Sequence, residues 1–336
     1  MSNKLKNYRI KITFASIKKK AVMKLGYLYT VSEMTPWKEN VNAETLAFLL
    51  SQTPIEFTPE IIRFDGFTEE ILMKIREFDI IFNLCYGFKD VGQVEVAGWL
   101  EHNGISHTAS TFDALVKAQD KSLLPSICGR LDLCTPSLWT QTDTLDDDVI
   151  YISKPRKGSC HRNITIESGK WMKSHLNTST EDLIIQPYIM GREFSVAVIP
   201  SQGGKYHFAL PPIEIKPKEN ADIYIAGQSF GATTKDFSPS IDESLSDGLM
   251  IAAEKLHKNI RLTGMSRTDF RVDHDHNIYV LDVNAMPNMD PVKSMMPAIC
   301  KHHEVNISDL IRRIVDSVKY KGELQNKTLL SHELLS

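Results

Sequence analysis

Residues 266–290, SRTDFRVDHDHNIYVLDVNAMPNMD, constrain this chain more than any other stretch, because only one local fold satisfies both of its runs. TDFRV and IYVLDVN flank the polar cluster 273–277, which is the pattern of a β-hairpin with a short loop. Side chains alternate along a strand, so Asp282 and Asn284 point the same way, and a four- or five-residue turn brings Asp269 roughly opposite them. Three oxygen donors then share one face. Mg²⁺ suits such a set, taking a few protein oxygens and filling its other positions with water and phosphate oxygens. The competing reading is a hairpin whose acidic side chains simply face water.

The rest of the chain narrows the choice. Its 336 residues, 42% hydrophobic and 24% charged, suffice for two or three domains at roughly 100–200 residues each. A balance of 39 basic against 42 acidic residues argues against nucleic acid or an anionic membrane as partner and for small-molecule substrates. Five scattered cysteines (Cys85, Cys128, Cys134, Cys160 and Cys300) form neither a disulfide framework nor a zinc spacing. No apolar run approaches the roughly 18 residues of a membrane span, and the Lys-rich start lacks the apolar core of a signal peptide. A soluble, cytoplasmic protein is expected.

Along the chain, MKLGYLY reads as a buried first strand behind a basic leader (1–21), itself an edge strand or a poorly ordered arm. Helices over 43–53 and 67–77, a strand over 79–84, a helix over 94–103 and a strand starting at Ile105 follow. This alternation implies a parallel sheet, whose ligands gather beyond the carboxyl ends of its strands, where Tyr86 lies. From 111 the pattern becomes α+β: a helix carrying Lys117 and Lys121, then the strands VIYISKP, ITI and LIIQPYI with a helix near Trp171. Beyond Glu193 come strands in FSVAVI and HFALPPIEI, a polar loop over 218–238, a helix over 241–260, the hairpin, a helix over 307–318 and a polar tail.

Two further segments carry chemistry. KPRKGSCH (154–161) follows a strand and offers glycine, serine and cations, so its backbone N–H groups and charges can wrap a polyphosphate, although a basic surface hairpin has the same composition. It is neither a P-loop nor a Rossmann turn. QPYIMGRE (186–193) ends a buried strand and crosses into the next sheet, as a hinge between two lobes does. Such a linker can present backbone groups to an adenine edge, and the carboxylate of Glu193 can accept the ribose hydroxyl protons; a plain interdomain turn is the alternative.

The order GISHTAS with ALVKAQDK, SKPRKGS, QPYIMGRE, RTDF and LDVNAMP resembles the ATP-grasp superfamily, and within it the D-alanine–D-alanine ligase-like carboxylate–amine ligases, over about residues 79–315. The resemblance implies an α/β and α+β, three-domain ATP-grasp architecture with ATP held between the central and C-terminal domains. The expected boundaries are an N-terminal α/β domain over 22–110, a central lobe over 111–188, a C-terminal metal-bearing lobe over 189–320 and a tail over 321–336. It implies that Lys121 and Lys154 hold ATP phosphates, that Ser159 closes over them, that Gln186 and Ile189 line the adenine site and that Glu193 holds the ribose. Asp269, Asp282 and Asn284 become ligands of one or two Mg²⁺ ions, with Mn²⁺ an alternative. Arg267 stabilises charge at the reacting carbonyl, while Ser294, Lys293 and Tyr86 lie on the substrate side. A homodimer is expected by family analogy alone.

The implied reaction starts with attack of a carboxylate on the γ-phosphoryl group of ATP to give an acylphosphate, with the loops over 156–163 and 218–238 closing to exclude water. An amine then attacks the acyl carbon through an oxyanion that Arg267 faces, phosphate leaves, and an amide remains. The chain departs from the family pattern in several places. Asp282 stands where glutamate is commoner, Glu33 follows a poorly matching early loop, and residues 226–230 lack the lysine and tyrosine of the closing loop, for which Lys235 is a weak substitute. Asn288 replaces a glycine. These lie largely in the substrate half and lead to the expectation of amino-acid or small-peptide substrates other than two D-alanines. The alternatives are a kinase-like phosphotransferase and a nucleotide-binding protein without turnover.

Overall fold

In the computed structural model, the described residues are 22–31, 41–89, 91–140, 144–157, 164–178, 182–217 and 233–333. The first unit is a parallel three-stranded sheet in the order β2-β1-β3, from β1 (Met23–Tyr29), β2 (Phe57–Arg63) and β3 (Ile80–Leu84). Helices α1 (Ala43–Gln52) and α2 (Glu69–Ile75) make the crossovers, each started by a side chain that accepts an early backbone N–H: Asn42 from Thr45 and Thr68 from Ile71. A small ribbon of β4 (Gly87–Phe88) and β5 (Val91–Gly92) leads into α3 (Gln93–His102). The strand expected from Ile105 is reduced to a parallel bridge between Ile81 and His107, because the chain turns away after Thr108 has donated its N–H to Ile81.

Helix α4 (Phe112–Gln119), capped by Thr111, stops before Lys121, which sits in a 3₁₀ turn (Lys121–Leu123) ahead of α5 (Leu124–Gly129). The expected placing of Lys121 on the helix is therefore corrected: Asp120 takes an extended conformation and its side chain caps the next turn through Ser122. A second sheet, antiparallel with order β7-β6-β8, comprises β6 (Ile150–Pro155), β7 (Thr165–Ser168) and β8 (Leu183–Pro187). Helix α6 (Gly169–Thr178) joins the last two of these strands and buries Met172 in a small core with Leu145, Tyr151 and Ile185.

The largest sheet is six-stranded, ordered β12-β11-β9-β13-β14 with β10 also on β9: β9 (Arg192–Pro200), β10 (His207–Ala209), β11 (Ile213–Pro217), β12 (Thr233–Asp236), β13 (Ser266–Val272) and β14 (Ile278–Asn284). HFALPPIEI forms two strands rather than one, since Pro211 and Pro212 lack the N–H groups a continuous ladder needs. Phe194 pairs with Phe270 on one sheet face, and both are fully buried in the main core together with Leu249, Ala253 and Leu256 of α7 (Glu243–Ile260). Burial of each large apolar side chain contributes about 1.5–3 kcal/mol, so this face anchors the sheet. The other face is left for polar residues.

After α8 (Met295–His302), helix α9 (Ile307–Glu333) runs well beyond the expected end at 318. On it, Lys321 reaches back to the first unit and places its ammonium 2.9 Å from His107 Nε2 and 3.4 Å from Glu101 Oε1. Ser110 and Thr263 bond reciprocally between the same regions, at 3.3 and 2.9 Å. Among the described residues no helix is long and apolar enough to cross a membrane.

Candidate active site

Strands β13 and β14 form the expected hairpin, with Asp269 directly opposite Asp282 and Arg267 opposite Asn284. Directly opposed residues share a sheet face, so all four point to one side. The register on β9 extends the row, placing Ser195 opposite Asp269 and Glu193 opposite Arg271. A bulge after Asp269 makes Phe270 face Val280 and leaves Leu281 without an opposite residue. Bulges often re-aim groups beside functional sites. Here the freed Leu281 carbonyl accepts a bond from Lys154 Nζ at 3.1 Å.

Asp269 is held firmly. Arg267 donates to both of its oxygens at 2.9 Å and Ser195 Oγ donates to Oδ1 at 2.6 Å. Burial works against the Arg267 charge, but Asp269, with Asp282 and Glu193 adding to its effect, raises the guanidinium's pKa. The three bonds use most of the roughly four acceptor positions of a carboxylate, so a cation bound at Asp269 shares or displaces them. Asn284 Oδ1 accepts the N–H of Met286 at 3.0 Å, which fixes the amide and the turn that follows.

Two lysines approach from the smaller sheet and the 3₁₀ turn. Lys121 Nζ lies 3.5 Å from Asp282 Oδ1. Lys154, at the end of β6, is nearly buried and lowered to about 8, first by burial, with Asp282 acting in the opposite direction and Lys121 adding to the effect. Asp120 positions the neighbourhood: Arg156 grips it through two bonds of 2.8 and 2.6 Å, and this contact above all lowers its pKa to about 2. The backbone N–H of Lys121 also donates to the Arg156 carbonyl, tying the lysine turn to the start of the basic loop.

The linker expected to act as a hinge is equally specified. Gly191 has φ 143°, and a Cβ there would lie 2.0 Å from the Val272 carbonyl oxygen, so no other residue fits. Glu193, just past it, is buried and raised to about 7 by that burial, while Arg271 pulls it back down through a 2.7 Å bond. Gln186 is also buried, on the same face of its sheet as Lys154, and donates its amide to the Pro136 carbonyl at 2.9 Å. Ile189 follows it, half-buried, in the linker.

Tyr86, expected on the substrate side, is buried and donates to the Pro287 carbonyl at 3.4 Å. It lines a cleft with Asn83, Thr108, Thr263 and Met286, directly behind the hairpin's last turn. Ser294 stands at the N-terminus of α8, and Lys293 is exposed one residue earlier, its N–H donating to Asp290 at 2.8 Å. Ser159, Glu33 and residues 226–230 lie outside the described residues, as does the side chain of Lys235.

Among the described residues no three His, Cys, Asp or Glu side chains converge to hold a metal. The hairpin offers two carboxylates and an amide oxygen, a set that fits a hard cation completing its shell with water and phosphate oxygens and suits zinc poorly.

The model of the D-ala D-ala ligase C-terminus family matches residues 164–316. A D-alanine–D-alanine ligase of Anaeromyxobacter sp. (strain K) is 37% identical over 142 residues, 42% of this chain and 44% of that protein. The chain thus spans less than half the length of that relative. The enzyme of the same name from Anaeromyxobacter sp. (strain Fw109-5) is 27% identical over 269 residues, 75% of this chain and 84% of that one. The D-alanine–D-alanine ligase of Bacillus anthracis, solved in complex with ATP, superposes with a TM-score of 0.67 at 19% identity, covering 90% of this chain and 99% of that one. Over residues 164–316 this chain is similar to the D-ala D-ala ligase C-terminus family, and it shares the fold of the solved D-alanine–D-alanine ligases.

Within that fold, reading the sequence missed three residues that organise the site. Ser195 and Arg271 are ordinary strand residues by pattern, and only the β9–β13 register shows that they face Asp269 and Glu193. Tyr188 was legible as part of the linker, but not as the partner of Arg271, which donates to its hydroxyl at 3.1 Å and lies 5.2 Å from its ring centre.

Proposed function

We propose that this protein is an ATP-dependent carboxylate–amine ligase that forms an amide between amino-acid or small-peptide substrates. One observation carries the reading: cations from one lobe (Lys121 and Lys154) interleave with the Arg267, Asp269, Asp282 and Asn284 face of another, largely shielded from solvent. Such an array suits polyphosphate binding and phosphoryl transfer, where nearly all of the protein's work is positioning and charge compensation.

Lys121 and Lys154 bind the phosphates, and Glu193 takes the ribose beside the hinge. Asp269, Asp282 and Asn284 hold Mg²⁺, which neutralises phosphate oxygens when bound. A substrate carboxylate oxygen bonds to the γ-phosphorus and ADP leaves, giving an acylphosphate. The second substrate's amine then bonds to the acyl carbon while Arg267 faces the oxyanion, and expulsion of phosphate leaves the amide. Tyr86, Ser294 and Lys293 flank the substrate side, and Ser159 closes over the phosphates. The names of the relatives make D-alanine the first substrate to test, and the departures at Glu33, residues 226–230, Asn288 and Lys293 are the reason to test other pairs beside it.

Purified protein given ATP, Mg²⁺ and a panel of amino acids and short peptides, with D-alanine alone as one arm, tests this by mass spectrometry of products. ADP, phosphate and a new amide appearing together support ligation, with the D-alanine arm deciding the substrate question. A stable phosphorylated product, or nucleotide binding without consumption, overturns it.

A further inference from the structure

Arg271 has no part in the reaction as derived above, yet it is 5% exposed. A buried guanidinium is costly unless its charge and donors are matched, so its surroundings carry information. One donor meets Glu193 Oε2 at 2.7 Å; another meets the Tyr188 hydroxyl at 3.1 Å and the Gly191 carbonyl at 3.4 Å, and the guanidinium lies over the Tyr188 ring. These contacts join the two ends of the hinge, Tyr188 before Gly191 and Glu193 after it, to the floor of the six-stranded sheet. The planar fork of arginine can bond a carboxylate while stacking on a ring, which the ammonium of lysine cannot reproduce.

We propose that Arg271 is the positioning residue of the nucleotide site: it fixes the Glu193 carboxylate for the ribose hydroxyls and locks that carboxylate to the hinge through Tyr188. This rests on the reading of Glu193 as the ribose-binding group. Its consequence is selective. Arg271 governs how strongly the site depends on the 2′- and 3′-hydroxyls, and leaves phosphate binding and the chemical step to other residues.

The test compares ATP with 2′-deoxy- and 3′-deoxy-ATP in the full-length protein, by nucleotide affinity and by KM and kcat in ATP turnover, for the wild type, Arg271→Met, Arg271→Lys, Glu193→Gln and the Arg271→Met/Glu193→Gln pair. In the wild type, loss of a ribose hydroxyl is expected to weaken binding about tenfold, the worth of one charge-assisted hydrogen bond. Arg271→Met should erase most of that preference and raise KM for ATP about tenfold with kcat at saturation within about twofold of wild type. Arg271→Lys should recover part of the preference, and the double variant should match Glu193→Gln. If Glu193→Gln erases the preference and Arg271→Met or Arg271→Lys keeps it whole, the inference on Arg271 fails alone. If Glu193→Gln itself keeps the preference, the ribose reading fails and the inference with it. Should Arg271→Met not fold, the lysine and double variants decide by the same criteria.

Discussion

Replacing Lys321 by methionine should stabilise the protein, although it removes a charge pair. Lys321 is 9% exposed, and burial lowers it to about 8 from the 10.5 of a free lysine, with Glu101 only partly offsetting the effect. Its nearest neighbour, His107, is 1% exposed and is itself held well below its ordinary pKa, first by burial and then by the Lys321 charge. A lysine lowered on folding binds protons more weakly in the native than in the unfolded state, so stability rises with pH between about 8 and 10.5 and is depressed below that window. At about 1.4 kcal/mol for each tenfold change in an acid constant, the folded state near pH 7 bears about 3 kcal/mol from keeping this ammonium charged. Methionine is similar in length and removes that term, which is already net of the Glu101 attraction; losing the contact to His107 returns about 1 kcal/mol.

The net expectation is about 2 kcal/mol of added stability near pH 7, or a melting temperature higher by about 4–8 °C in a domain of ordinary size. Near pH 10 the wild-type lysine is neutral when folded, and the difference between the two proteins should shrink to less than about 0.5 kcal/mol. Thermal and urea unfolding of both proteins at the two pH values measure this directly, with ATP turnover near pH 7 expected to stay unchanged. A variant less stable than wild type near pH 7, or a gain that persists undiminished near pH 10, would refute the reasoning and show the Lys321–Glu101 attraction to outweigh burial.

Asp282→Ala should lower Mg²⁺-dependent turnover at least about 10²-fold while the circular dichroism spectrum stays native, as the side chain is a third exposed and packs no core; retained turnover would remove it from the ion site. Lys154→Ala should weaken ATP binding about tenfold or more by calorimetry, and unchanged affinity would separate it from the phosphates. Gly191→Ala should cost several kcal/mol or prevent folding, because its Cβ would lie 2.0 Å from the Val272 carbonyl oxygen, and a melting temperature within a degree of wild type would contradict the hinge geometry.

Which parts of the site were legible in the sequence follows from how each residue is placed. Asp269, Asp282 and Asn284 belong to one hairpin, so period-two alternation and a short turn sufficed to put them on one face. Lys121 was recognisable as a residue but was read onto a helix, because nothing local in KAQDKS announces that Asp120 breaks the helix to cap the next turn. The end of α9 was missed for a related reason: beyond 318 leucines are scattered among charged and polar residues, which reads as a polar tail, whereas the helix continues through the buried Lys321 to Glu333.

Ser195 and Arg271 mark where local reading ends. Their roles depend on the pairing of β9 with β13 across some seventy residues of chain. A one-residue slip in that register would send both to the opposite face, so no local pattern could reveal them. Long-range pairing also explains why the proposed nucleotide half of the site is the firmer part. Its carboxylate-bearing face belongs to one sheet whose other face is held by Phe194 and Phe270, so the hydrophobic core and the Asp269–Asp282 row fix the same register. A polar substitution at Phe270 should therefore impair nucleotide binding as well as stability, although its side chain never faces the site.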